Sequence, residues 1–216
     1  MKTDGNHEKW LKIAFILSII TIVYNIFEGL FSVYFGASDD TLALLGFGVD
    51  SFVEVISGIG IAHMIIRMRS SEVDSHDRFE RQALRVTGGS FYLLTAGLLL
   101  GVVLNIIYKI TPTTTVAGII ISAISIATMY FLMAAKLKAG RILSSEAIIS
   151  DANCTKTCLY LSIILLASSA LYEILQIPYI DLAGSLGIAW FAFSEGREAF
   201  EKVKANKLSC SCEDCH

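Results

Sequence analysis

Residues 42–66 read LALLGFGVDSFVEVISGIGIAHMII, an apolar run interrupted by two carboxylates, Asp50 and Glu54, and one histidine, His63. At 1.5 Å per residue, a helix of that length covers about 37 Å, more than the roughly 30 Å of a bilayer's hydrocarbon core. Asp50 and Glu54 stand four residues apart, about 40° round a helix of 3.6 residues per turn, and so share one face. Counted from Leu42, Asp50 lies about 12 Å into the span, near the bilayer midplane. An aspartate at such depth costs roughly 2.5–3.5 kcal/mol on insertion scales, which makes the pair a candidate functional site. Two carboxylates this close repel unless a cation or shared protons neutralise them, the behaviour that a proton-coupled cation site needs. The plain alternative is a pair kept protonated or hydrogen-bonded to neighbouring helices.

Working outward, the rest of the chain has the same apolar character. Hydrophobic residues make up 54% of its 216 residues, and mean hydropathy is +0.63. Few soluble domains are so apolar. Six spans are expected, about 10–36, 42–66, 83–108, 115–137, 146–173 and 181–200, giving an all-α membrane protein. Pro112 and Pro178, the two prolines, fall between spans, where a missing N–H costs least. Fifteen of the 17 lysines and arginines fall on one side if the N-terminus is cytoplasmic. The positive-inside rule therefore predicts two cytoplasmic termini, which requires an even number of spans. The first span is too long for a signal-peptide core and is expected to stay in the mature chain. Residues 1–200 form one transmembrane domain and 201–216 a short cytoplasmic tail. The short outer connections predict that consecutive helices are antiparallel neighbours. The basic residues are explained by topology, and no patch points to nucleic acid.

A second polar face lies in the fifth span. At about 100° per residue, Asp151, Cys154, Thr155 and Cys158 fall within an arc of about 100°. Cys154 and Cys158 repeat the spacing of Asp50 and Glu54. Two helices that each offer a ligand pair at this spacing can together make the four-coordinate tetrahedral site that zinc takes. Asp151 is the alternative fourth ligand, and ordinary packing is the alternative for each cysteine. Asn25 and Glu28 share a face of the first span and are candidates for the ion path, although Glu28 could instead pair with a neighbouring helix. His63 points about 180° away from Glu54 and fits an interfacial position. Lys156 points roughly 160° away from Cys158 and calls for a carboxylate partner or a subunit interface. Asp39 and Asp40 fit a solvated turn. In the tail, Cys210, Cys212, Cys215 and His216 crowd three thiols and an imidazole into seven residues. They make a flexible appendage for borderline or soft metals, with the thiols kept reduced in the cytoplasm.

These motifs resemble those of the cation diffusion facilitators. Ser38 and the run through Ala43, Leu44, Asp50, Ser51 and Glu54 are similar to that family's second-helix signature, in which a serine and an Ala-Leu pair lead into Asp-Ser-x-x-Asp. Asp151, Ala152, Cys154 and Cys158 resemble its fifth-helix Asp-Ala-x-His-x-x-x-Asp, and Asp181 the acidic residue that opens its sixth helix. The resemblance covers all six spans. It implies that Asp50, Glu54, Cys154 and Cys158 are the metal ligands, with Asp181 on the ion path, in a homodimer that exports zinc or a related divalent ion by proton exchange. Two thiols stand where the family has imidazole and carboxylate, and Glu54 replaces an aspartate. The chain is similar to a short branch of the family without the folded cytoplasmic domain.

The expected function is therefore export of Zn2+, Cd2+ or a similar divalent cation across the plasma (cell inner) membrane by proton antiport. Protons and metal would compete for Asp50, Glu54 and the two thiols, with no cofactor beyond the transported ion and no enzymatic step. No phosphate-binding glycine loop points to ATP-driven pumping. A membrane thiol oxidoreductase cycling Cys154 and Cys158 and a metal-sensing scaffold that transports nothing are the two rival readings.

Overall fold

A computed structural model of the chain describes residues 3–70, 76–143, 146–177 and 179–204. The tail ligands Cys210, Cys212, Cys215 and His216 lie outside the described residues. Among the described residues there are six helices and no strand: α1 (Thr3–Ser38), α2 (Leu42–Ser70), α3 (His76–Tyr108), α4 (Val116–Leu143), α5 (Glu146–Leu175) and α6 (Tyr179–Lys204). Several run past the apolar stretches that announce them, because polar residues continue a helix once it leaves the hydrocarbon. At the start of α1, for example, Lys12 Nζ lies 2.8 Å from Glu8 Oε1 one turn away.

Five of these helices are long and apolar enough to cross a membrane, over Glu8–Ser38, Leu42–Gly60, Gly88–Tyr108, Val116–Leu143 and Asp151–Leu175. The sixth is shorter in apolar terms, since Asp181 lies near its start and Glu195, Arg197, Glu198, Glu201, Lys202 and Lys204 crowd its last turns. Large apolar side chains such as Phe27, Leu30, Phe31, Leu93, Leu100 and Phe131 stand on the outside of the bundle. Polar groups are turned inward. On α1 the buried polar residues are Ser18, Thr21, Asn25, Glu28 and Ser32, and on α4 they are Ser122, Ser125 and Lys136. Water rewards the opposite arrangement, whereas a lipid solvent rewards this one.

Each helix packs on its ring neighbours in the order α1, α2, α3, α6, α5, α4 and back to α1, while α2 also reaches across to α5 and α6. The apolar core lies on these crossings, with Leu44 and Phe47 of α2, Leu94 and Leu98 of α3, Leu161 and Leu165 of α5, and Ile188 of α6. The expectation that consecutive helices are neighbours fails for α3 and α4, which share no extensive contact. The link between them, 109–115, can extend about 23 Å at roughly 3.3 Å per residue, enough to step over another helix. It is held on the way, because Tyr172 of α5 donates a hydrogen bond to Pro112 O at 2.6 Å.

The three short links share one end of the bundle, and each follows a helix that stops without glycine. Asp40, Lys109 and Gln176 take φ values of 56°, 53° and 53°. The Thr41 and Ile110 amides then donate back to Gly36 O at 2.9 Å and Asn105 O at 3.1 Å, closing the last turns of α1 and α3. Two carboxylates cap the helices that follow. Asp181 accepts from the Leu42 and Ala43 amides at 2.9 and 3.4 Å, and Glu173 from the Thr115 amide at 3.0 Å. A carboxylate against the first amides of a helix satisfies donors that the helix itself leaves open.

Candidate functional site

The tightest helix contact brings α1 to α2. A Cβ added to Gly36 would meet the backbone nitrogen of Leu45 at 2.6 Å, and one added to Gly48 would meet Ser32 Cβ at 2.7 Å and the Val33 nitrogen at 2.8 Å. Small residues permit this approach, as in other helix pairs in lipid. It carries the polar stripe of α1 onto the carboxylate face of α2. Asn25 Nδ2 donates to Glu54 Oε2 at 2.8 Å. Glu28 takes one hydrogen bond on each carboxylate oxygen, from the Tyr24 hydroxyl at 2.9 Å and the Ser51 hydroxyl at 3.1 Å. Asp50, on the same helix as Ser51 and Glu54, is 2% exposed. Glu28 and Glu195 are near enough to Asp50 to act on its charge, as Asp50, Glu28 and Lys136 are to act on that of Glu54. Asn25 and Glu28, which the sequence places on one face, are thus both brought to the α2 carboxylates.

The fifth-helix residues divide. Asp151 faces α4, where Lys136 Nζ lies 3.0 Å from Asp151 Oδ2 and donates to Thr155 Oγ1 at 3.0 Å. That ion pair is buried, with Lys136 only 1% exposed. Cys158 is buried in an apolar cluster with Met129 and Leu132, against Leu17, Tyr24 and Leu159, and its thiol donates to Cys154 O at 3.3 Å. Cys154 is half-buried one turn away, and neither cysteine is in a disulfide. Lys156 turns outward with Nζ 5.7 Å from the centre of the Tyr160 ring. Among the described residues no three His, Cys, Asp or Glu side chains converge closely enough to hold a metal ion. In this conformation no three of the four expected ligands converge, with Asp50 and Glu54 on α2 and Cys154 and Cys158 on α5. Asp181 is occupied at the start of α2, at the far end of the bundle from His63.

Three charged residues escaped the reading of the sequence. Lys136, one of the fifteen basic residues that the topology puts on the cytoplasmic side, is buried against Asp151. Glu195 accepts from Thr157 Oγ1 at 3.1 Å, joining α6 to α5, and Glu173 caps α4. A signal for the first exists. Ser122, Ser125, Met129, Leu132 and Lys136 recur at three- and four-residue steps, and all are buried. A polar stripe at helical period inside an apolar stretch marks the inward face of a membrane helix, just as an apolar stripe does in water.

The arrangement can neutralise positive charge. Its carboxylates sit inside an apolar bundle where an unpaired charge is costly, and its donors are few. Searches with this chain match no protein-family model and no curated protein.

Proposed function

We propose that the chain is a six-span secondary transporter with cytoplasmic termini, which exports a divalent transition-metal cation in exchange for protons and belongs among the cation diffusion facilitators. One observation carries the proposal. Asp50 and Glu54 stand on the most deeply embedded helix of an inside-out bundle, with α1 supplying Asn25 and Glu28 against them. Acidic side chains at membrane depth mark ion pathways, and a pair on a helix that touches most of its neighbours can be exposed to either side by a modest tilt. In that cycle Cys154 and Cys158 join the ion when α5 closes on α2, a contact that already exists between the two helices. Metal displaces protons from the ligands it takes, which couples the two fluxes without a nucleotide.

Flux of Zn2+ into proteoliposomes holding the purified protein tests this. With the lumen more acidic than the bath, uptake should exceed that of protein-free vesicles, and lumenal pH should rise as metal enters. Uptake equal to that of empty vesicles at every imposed gradient would leave the scaffold or the thiol oxidoreductase as the better reading.

A further inference from the structure

Four buried side-chain polar atoms find no hydrogen-bond partner among the described residues: Asn25 Oδ1, Asp50 Oδ1 and the Ser32 and Ser169 hydroxyls. The first two belong to one cluster, since Asn25 holds Glu54 and Glu54 stands one turn from Asp50. Both are acceptors, an amide oxygen and a carboxylate oxygen, on residues 0% and 2% exposed. Leaving a buried acceptor unmatched is costly, and a second acceptor cannot repair the first. Glu28 is different, because each of its oxygens already has a hydroxyl donor. Within this cluster the deficit falls on Asn25 and Asp50, two acceptors without a donor, and a cation shared between their oxygens would satisfy both.

We infer that Asn25 is an inner ligand of the transported cation, its amide oxygen joining the carboxylates of Asp50 and Glu54 in an oxygen site for a divalent ion built between α1 and α2. The inference rests on the transport reading and deepens it. In the structure the amide gives its N–H to Glu54 Oε2. A cation that takes Glu54 removes the reason for that orientation, and a half-turn of the amide then presents Oδ1 to the ion. Amide and carboxylate oxygens suit harder ions than thiolates do. The α1–α2 oxygen site accordingly takes Mn2+ as well as Zn2+, and engagement of Cys154 and Cys158 from α5 is what favours the softer ion. Glu28 holds Ser51 and adds negative charge without touching the metal.

The test separates an oxygen that ligates from an N–H that merely positions Glu54. In full-length protein with Cys210, Cys212 and Cys215 changed to serine and His216 to alanine, Zn2+ and Mn2+ affinities are measured by chelator competition. Protons released per ion are measured in weak buffer. Asn25→Ala should weaken both metals about tenfold. Asn25→Asp also loses the N–H but keeps an oxygen. It should bind at least as tightly as the parent and release about one more proton per ion, because a third carboxyl must lose its proton. A misfolded protein could not produce that gain. If Asn25→Ala binds like the parent, or if Asn25→Asp is as weak as Asn25→Ala, Asn25 is not a ligand. Asp50→Asn is measured alongside; if it too binds like the parent, the transport site itself has been misassigned.

Discussion

Cys158 illustrates how one residue can satisfy two descriptions. Its thiol is packed against Met129 and Leu132 as a small apolar side chain would be, yet Tyr24 in the same cluster donates to Glu28 and so links it to the carboxylates. Substitution distinguishes the two roles. As a ligand, Cys158→Ser should weaken Cd2+ binding more than Zn2+ binding, because a hydroxyl replaces a thiolate poorly toward the softer ion. Unchanged affinities for both metals, measured with the tail ligands removed, would make it a packing residue. Lys136 and Asp151 invite a different measurement. Removing one partner of a buried pair strands the other charge, at a cost of about 3–5 kcal/mol. Lys136→Met should therefore lower the melting temperature clearly, and Lys136→Met combined with Asp151→Asn should recover most of the loss. A double variant no better than the single one would mean that the lysine stem, not the charge pair, holds α4 to α5.

On the proposed function, the contact between α1 and α2 decides whether the site forms. Gly48 lets the α2 backbone lie against Ser32 and Val33, and the polar stripe of α1 reaches Glu54 and Ser51 only at that separation. Gly48→Leu should force the helices apart and abolish metal binding. Gly97 faces open space, with nothing within 4 Å of an added Cβ, so Gly97→Ala in α3 should leave binding intact. An unimpaired Gly48→Leu protein would show that the site does not depend on this approach. At the other end of the same helices the capping carboxylates do structural work. Asp181 and Glu173 each tie one helix start to a neighbouring helix, so the end with the short links is held together by hydrogen bonds as well as by packing.

At the scale of the whole molecule, the positive-inside rule makes orientation directly testable. With cytoplasmic termini, Cys210, Cys212 and Cys215 should resist a membrane-impermeant thiol reagent in intact, right-side-out cells after Cys154 and Cys158 are replaced, and react once the membrane is broken. Reaction before permeabilisation would reverse the topology. The sequence by itself determined the all-helical, membrane-spanning character of the chain. Apolar runs of sufficient length read as helices in lipid whatever surrounds them, because a backbone in hydrocarbon must satisfy its own hydrogen bonds. It also singled out Asp50, Glu54, Asn25 and Glu28, since a polar group inside such a run is conspicuous without knowledge of its partners. Only the tertiary structure decided who those partners are. Helical spacing says which residues of one helix share a face, but it cannot say which helix that face meets. The ring order that parts α3 from α4, the pairing of Lys136 with Asp151, and the delivery of Asn25 to Glu54 all follow from contacts between segments far apart in the chain. Those contacts are set by where small residues such as Gly36 and Gly48 allow two backbones to close, and by which buried polar groups can satisfy one another once they do.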